Sequence, residues 1–175
     1  SMNALVVTLR LFHILCGIYW AGSIFFFVTY LEPVVRAMGP DGGKVMIQLF
    51  QRRFLAVLPF IAALTLITGV WLLWISSGSF DPAWMGSPNG IALSIGGLVA
   101  TVAFVTGLLV MRPAALRIWA IVRELPQVTD DGVRANQMAE MQRLRIRSAF
   151  AARTIAVMLF VSVACMAMAR YVDGL

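Results

Sequence analysis

Four long apolar stretches with almost no charge inside them constrain this chain more than any other feature. They run from about Ala4 to Leu31, Phe54 to Ile75, Gly90 to Met111 and Ala149 to Val172. Each reaches the ~20 residues a helix needs to cross ~30 Å of hydrocarbon. Lipid offers no partner to a free backbone N–H or C=O, so such segments must close their hydrogen bonds internally, as helices. Composition agrees: only 13% of the residues are charged, against about 25% in a soluble domain. The sequence therefore predicts an all-α polytopic membrane protein, a four-transmembrane-helix bundle forming one integral membrane domain over residues 1–175. Glu32-Pro33 and Arg112-Pro113 are expected to end the first and third spans, because the residue before a proline is pushed out of the helical region. Ser1 ahead of Met2 reads as a residue left by tag removal. The first apolar run is too long for a signal-peptide core and no small-residue cleavage site follows it.

The charges set an orientation. Arg36, Lys44, Arg52 and Arg53 lie between spans one and two. Arg112, Arg117, Arg123, Arg134, Arg143, Arg145, Arg147 and Arg153 lie between spans three and four. Twelve of the 14 basic residues thus fall on one face, which the positive-inside rule makes cytoplasmic. Both termini are then expected outside, periplasmic in a bacterial inner membrane. Trp71, Trp74 and Trp84 suit the outer interfacial belt. The net charge of +6 reads as topology rather than nucleic-acid binding, and the expected partners are the lipid bilayer and anionic headgroups at the cytoplasmic face.

The segment of about residues 113–148 is not featureless. Leu116, Trp119, Ile121 and Val122 precede a turn at Pro126-Gln127 and Thr129–Gly132. Met138, Met141, Leu144, Ala149 and Ala152 then recur at roughly helical spacing. This predicts a cytoplasmic helical hairpin extending spans three and four. In span three, Gly96, Ala100, Ala103 and Gly107 form one small-residue stripe, as expected where helices approach closely. Packing within the chain is the favoured use of that stripe, with a homodimer seam as the alternative.

The chemistry-bearing residues cluster in "RLFHILCGIYW", residues 10–20. It holds the one histidine of the chain. Arg10, His13, Gly17 and Trp20 are spaced to share a helix face, and Cys16 flanks it. If Arg10 and Arg170 sit at similar depth, the antiparallel span four brings Cys165, Met166 and Met168 to the level of His13 and Cys16. Ionisable residues in a span are costly and are functional candidates by default. Three readings stand. His13 is an axial ligand of haem b, with Met166 or Met168, a second chain's His13 or nothing opposite, and Gly17 leaving room for the flat macrocycle. Alternatively His13, Cys16, Cys165 and Met168 hold copper as Cu(I), which prefers soft donors. Or His13 hydrogen-bonds a neighbouring helix, no cofactor is bound, and Arg10 snorkels to the outer headgroups.

The stretch "FHILCGIYWAG" has a histidine, six residues, a tryptophan, then a glycine two later. It resembles the first helix of copper-resistance D-type membrane domains and of HemJ-type protoporphyrinogen oxidases, both small helical membrane proteins. The likeness continues through "LEPVVR" and "FQRRFLAVLPFIAALTLITGVWLL", covering about residues 8–75. It implies that His13 is the haem-linked or metal-linked histidine, with Trp20 and Gly22 packing nearby. The third-helix lysine of those families is missing from "NGIALSIGG", where Ser94 or Ile95 stands, and so are the later histidines of the HemJ pattern. The resemblance therefore implies cofactor binding more than porphyrinogen oxidation.

No phosphate loop, HExxH zinc motif or nucleophile elbow is present. Glu32 and Asp81 are isolated carboxylates near span ends. The expected function is binding of haem b, or copper, through His13 for electron transfer or cofactor handling. The alternative is a non-catalytic transporter or scaffold for a small solute or a partner protein.

Overall fold

A computed structural model describes the chain from Met2 to Gly174, so Ser1 lies outside the described residues. All the regular structure in that range is helical. Four helices, Met2–Ala37, Phe54–Ser76, Pro88–Gln127 and Asp131–Val172, are long and apolar enough to cross a membrane. They make this a multi-pass membrane protein. Two shorter helices, Gly42–Gln51 and Pro82–Met85, lie in the connections.

Helix starts follow from side-chain caps. Asp81 Oδ2 accepts from the Trp84 N–H at 3.0 Å, Ser87 Oγ from Gly90 at 3.1 Å and Asp130 Oδ1 from Val133 at 2.9 Å. Each cap satisfies one of the orphan donors of a first turn. Pro82 and Pro88 follow their caps directly, where a missing N–H costs nothing. The turn expected around residues 126–132 is present, as a single 3₁₀ turn, Leu125–Gln127, followed by the Asp130 cap.

The prolines do not end the first and third helices, contrary to the expectation from Glu32-Pro33 and Arg112-Pro113. Glu32 is itself helical, with φ −60° and ψ −47°. Ahead of each proline the helix widens into a π-turn, Phe27–Leu31 in the first and Gly107–Met111 in the third. The Glu32 N–H bonds the carbonyl of Phe27, and the Arg112 N–H that of Gly107, each five residues back. A proline in a regular helix loses one such bond and drives its ring into the carbonyl four residues earlier. The wider turn gives the ring room, and the helices run on to Ala37 and Gln127.

The first helix packs mainly on the second, and the third on the fourth. Gly69 brings the first pair close: a Cβ there would lie 2.8 Å from the His13 ring. Gly96, Ala100 and Ala103 do the same for the second pair. The Ser162 hydroxyl donates to the Gly96 carbonyl at 2.8 Å, which satisfies a polar group buried in the apolar interior. The small-residue stripe of the third helix thus packs within the chain. All four helices meet around Trp20, Ile24, Ala62, Ala103, Ile155 and Leu159. Trp20 meets Phe104 edge-on, with ring centroids 6.3 Å apart. At most 22% of any spanning window is buried inside the chain, so the remaining apolar surface, Ile18, Leu98 and Phe160 among it, needs lipid or another chain around it.

Beyond the apolar stretches the third and fourth helices are tied by Arg117 and Glu140, whose side chains make two parallel bonds of 2.7 and 2.8 Å. Ile121 is fully buried beside them. Trp119 stacks edge-on against Phe50 of Gly42–Gln51, with centroids 5.7 Å apart. Hydrogen bonding to Arg117 holds the Glu140 carboxyl below its usual value of 4.5, and the same bond raises the arginine. A carboxyl depressed on folding contributes fully above its unfolded value, and the contribution is lost as pH falls through the lower folded value. The pair is exposed, so its effect is small. Amide exchange around residues 125–131 is expected to quicken as pH falls below the usual carboxylate range, and Glu140→Gln is expected to give the same quickening at neutral pH. Exchange that is indifferent to both changes would show that the pair ties nothing.

Candidate functional site

The single histidine meets the second helix, not the fourth. His13 Nδ1 lies 2.9 Å from the Thr65 carbonyl oxygen. A carbonyl only accepts, so Nδ1 carries the proton and donates. Thr68 Oγ1 is a longer, second contact at 3.4 Å; its own proton goes to the Leu64 carbonyl at 2.7 Å. Gly69 makes this possible. In a helix the side chain at i+4 shields the carbonyl at i, and Gly69 is four residues after Thr65. A Cβ at Gly69 would lie 2.8 Å from His13 Cε1, closer than van der Waals contact allows. The imidazole is therefore seated in the notch left by a glycine.

With Nδ1 engaged, Nε2 keeps its lone pair and bonds to no described residue. The ring is half-exposed at the edge of the helix pair. His13 lies nineteen residues before Glu32, about 28 Å along the helix. It therefore sits in the half of the apolar span away from the arginines.

The other residues singled out in the sequence go to different places. Trp20 is buried, 5% exposed, in the common core. Gly17 is half-buried, and a Cβ there would meet the Thr65 methyl at 3.6 Å. Arg10 is exposed and bonds to no described residue. Cys16 is half-exposed and free. Cys165 and Met166 pack against Gly96 of the third helix, 3.4 and 3.0 Å from where its Cβ would be, and Met168 is 58% exposed. These contacts turn His13 to the second helix and Cys165 and Met166 to the third. Among the described residues no three His, Cys, Asp or Glu side chains group as a metal site.

At the arginine-rich end of the four helices lies a feature the sequence reading missed. A cavity of about 790 Å³ opens between them, roofed by Trp20 and Ala62 and walled by Leu58, Phe104 and Met111. Both π-turns contribute to its wall, through Phe27 and through Gly107, Leu108 and Met111. The sequence signal was there in the two helical charged-residue–proline pairs, Glu32-Pro33 and Arg112-Pro113, but it read as helix termination.

No family model, curated protein or solved structure matches the chain.

Because His13 is the one histidine, a ¹⁵N-histidine-labelled sample gives a single ring to read. It is expected to show a protonated Nδ1 and an unprotonated Nε2. Gly69→Ala is expected to push the ring out, remove the Nδ1 hydrogen bond and cost about 1 kcal/mol of stability. A ring spectrum unchanged by Gly69→Ala contradicts the seating described.

Proposed function

We propose that this chain is a four-helix bundle of a bacterial inner membrane that holds a haem b through His13, serving electron transfer or cofactor handling. The observation that carries the reading is the seated imidazole. Ligand histidines ordinarily donate their second ring N–H to a carbonyl or carboxylate, which sets the tautomer and aims the other nitrogen. Thr65 and Gly69 do this for His13 and leave Nε2 as a donor atom without a partner. A lone pair facing hydrocarbon with nothing to bind is unfavourable, and a metal ion is one group that satisfies it.

The fit is to one histidine per chain. Met166 packs against Gly96, which favours a second ligand from Met168 or from His13 of a second copy in a homodimer, or ligation by His13 alone. Among the described residues His13, Cys16 and Cys165 do not group as a metal site, which favours haem over copper. Bound haem would supply one-electron redox chemistry. The chain's own part is to orient Nε2 through the Thr65 bond and to keep water from the ring with the surrounding apolar helices. In this reading the arginine-rich face is cytoplasmic, the termini are periplasmic, and the third and fourth helices extend into the cytoplasm as a hairpin.

A second reading, a carrier for a small solute, draws on the cavity at the opposite end.

The test is spectroscopic. The full chain, expressed with ample haem and purified in mild detergent, is expected to show a Soret band that His13→Ala abolishes. Absence of the band, or its survival in His13→Ala, overturns the proposal. Gly69→Ala is expected to weaken haem retention without abolishing it, because it disturbs the ring's aim rather than its donor atom.

A further inference from the structure

The cavity at the arginine-rich end combines an apolar interior with an uneven charge at its mouth. Its size, about 790 Å³, falls in the ~300–1,000 Å³ range of small-molecule sites. Its mouth carries Glu32, Arg36, Arg112, Arg145 and Arg153. Glu32 is already taken. It pairs with Arg36 one helical turn away and, at 3.4 Å, with Arg153 of the fourth helix. The Arg112 and Arg145 side chains have neither a hydrogen bond nor an ion pair to any described residue. Four guanidinium groups therefore face one carboxylate, and two of them are unneutralised. The Ser148 hydroxyl on the same wall is buried and has no hydrogen-bond partner.

This arrangement is more than a ring of headgroup-binding arginines. Surface arginines meeting a leaflet need no apolar room behind them. Here the apolar room runs inward from the arginines to Trp20, which lies twelve residues before Glu32 on the first helix, a rise of about 18 Å. The short helix Gly42–Gln51 completes the wall with Met46 and Phe50. Phe50 is anchored from behind by Trp119, so this wall belongs to the packed structure.

We propose that the cavity is a binding site for a single-tailed amphiphile with an anionic head. The head, a carboxylate or a phosphate monoester, lies between Arg112 and Arg145, whose planar guanidinium forks match either group. The tail reaches toward Trp20, and Ser148 offers its hydroxyl within the site. The proposal does not depend on haem binding at His13, which lies beyond Trp20 at the other end of the helix.

Bromine quenching of tryptophan tests it. The full chain is placed in nanodiscs of zwitterionic phosphatidylcholine and titrated with 9,10-dibromostearate or with a dibrominated lysophosphatidate. A saturable quenching component is expected with at least one of the two, and which one binds tighter assigns the head as carboxylate or phosphate. Trp20→Phe is expected to remove that component, with native mass spectrometry counting one bound molecule per chain. The Arg112→Gln/Arg145→Gln double variant is expected to raise Kd at least ten-fold, and dibromostearyl alcohol, with the same tail and no charge, to bind at least ten-fold more weakly. Gly107→Leu is expected to abolish the saturable component. A Cβ at Gly107 meets only the Ile155 Cδ1 at 3.9 Å, so the added side chain has room to enter the cavity. Quenching that rises linearly with bromolipid content, equal binding of the alcohol, or insensitivity to both the arginine and the glycine variants overturns the proposal. Each of these results is independent of any Soret band.

Discussion

Hydrocarbon supplies no hydrogen bonds, and the structure is shaped by how each backbone and side-chain polar group finds a partner without water. Regular helix satisfies most of the backbone. The exceptions are instructive. Pro33 and Pro113 each remove a donor and crowd a carbonyl, and each is accommodated by a five-residue π-turn in place of a helix end. Both turns then form part of the wall of the cavity. A local repair of backbone hydrogen bonding has thereby become part of the architecture of a candidate binding site, as π-turns in helices often do.

The two helix pairs solve the side-chain problem in the same way. In each, a polar group on one helix reaches a backbone carbonyl that a glycine has left uncovered. His13 reaches the Thr65 carbonyl beside Gly69, and Ser162 reaches the carbonyl of Gly96 itself. Such interhelical bonds in membranes contribute about 0.6 kcal/mol on average and less than ~2, so neither holds the structure together by mass. They give direction instead. A histidine that must find the notch at Gly69 admits one rotation of the first helix against the second, and a serine that must find Gly96 does so for the fourth against the third. Close packing of Gly17 on Thr65 and of Ala100 and Ala103 in the common core follows from those rotations.

Much of the fold was legible in the residues. The four apolar helices, the small-residue stripe of the third and the turn near Asp130 were all readable, because each depends on a local pattern. The histidine stood out for the same reason: it is alone in an apolar span. What it touches was not legible. Equal-depth alignment set His13 beside Cys165 and Met166, but depth says nothing of which helix faces which. Gly69 lies in the second apolar stretch, yet a glycine announces a close approach without naming what approaches. The prolines misled for a related reason. Their effect on a regular helix is certain, but whether the chain ends or widens depends on what packs around the disturbed turn.

The sequence by itself determined that this chain is helical, that it crosses a membrane, and which end of its helices carries the positive charge. Those properties come from hydropathy, length and the placement of arginines, and they hold for any arrangement of the four helices. Only the tertiary structure decided that His13 turns its Nε2 free while Nδ1 is held, and that Arg112 and Arg145 stand unpaired over an apolar cavity. Both are matters of helix rotation and pairing. In a membrane every helix face is apolar enough to meet lipid or a neighbour, so hydrophobicity cannot choose between them. The choice falls to glycine notches and a few hydrogen bonds, and those exist only once two helices have met.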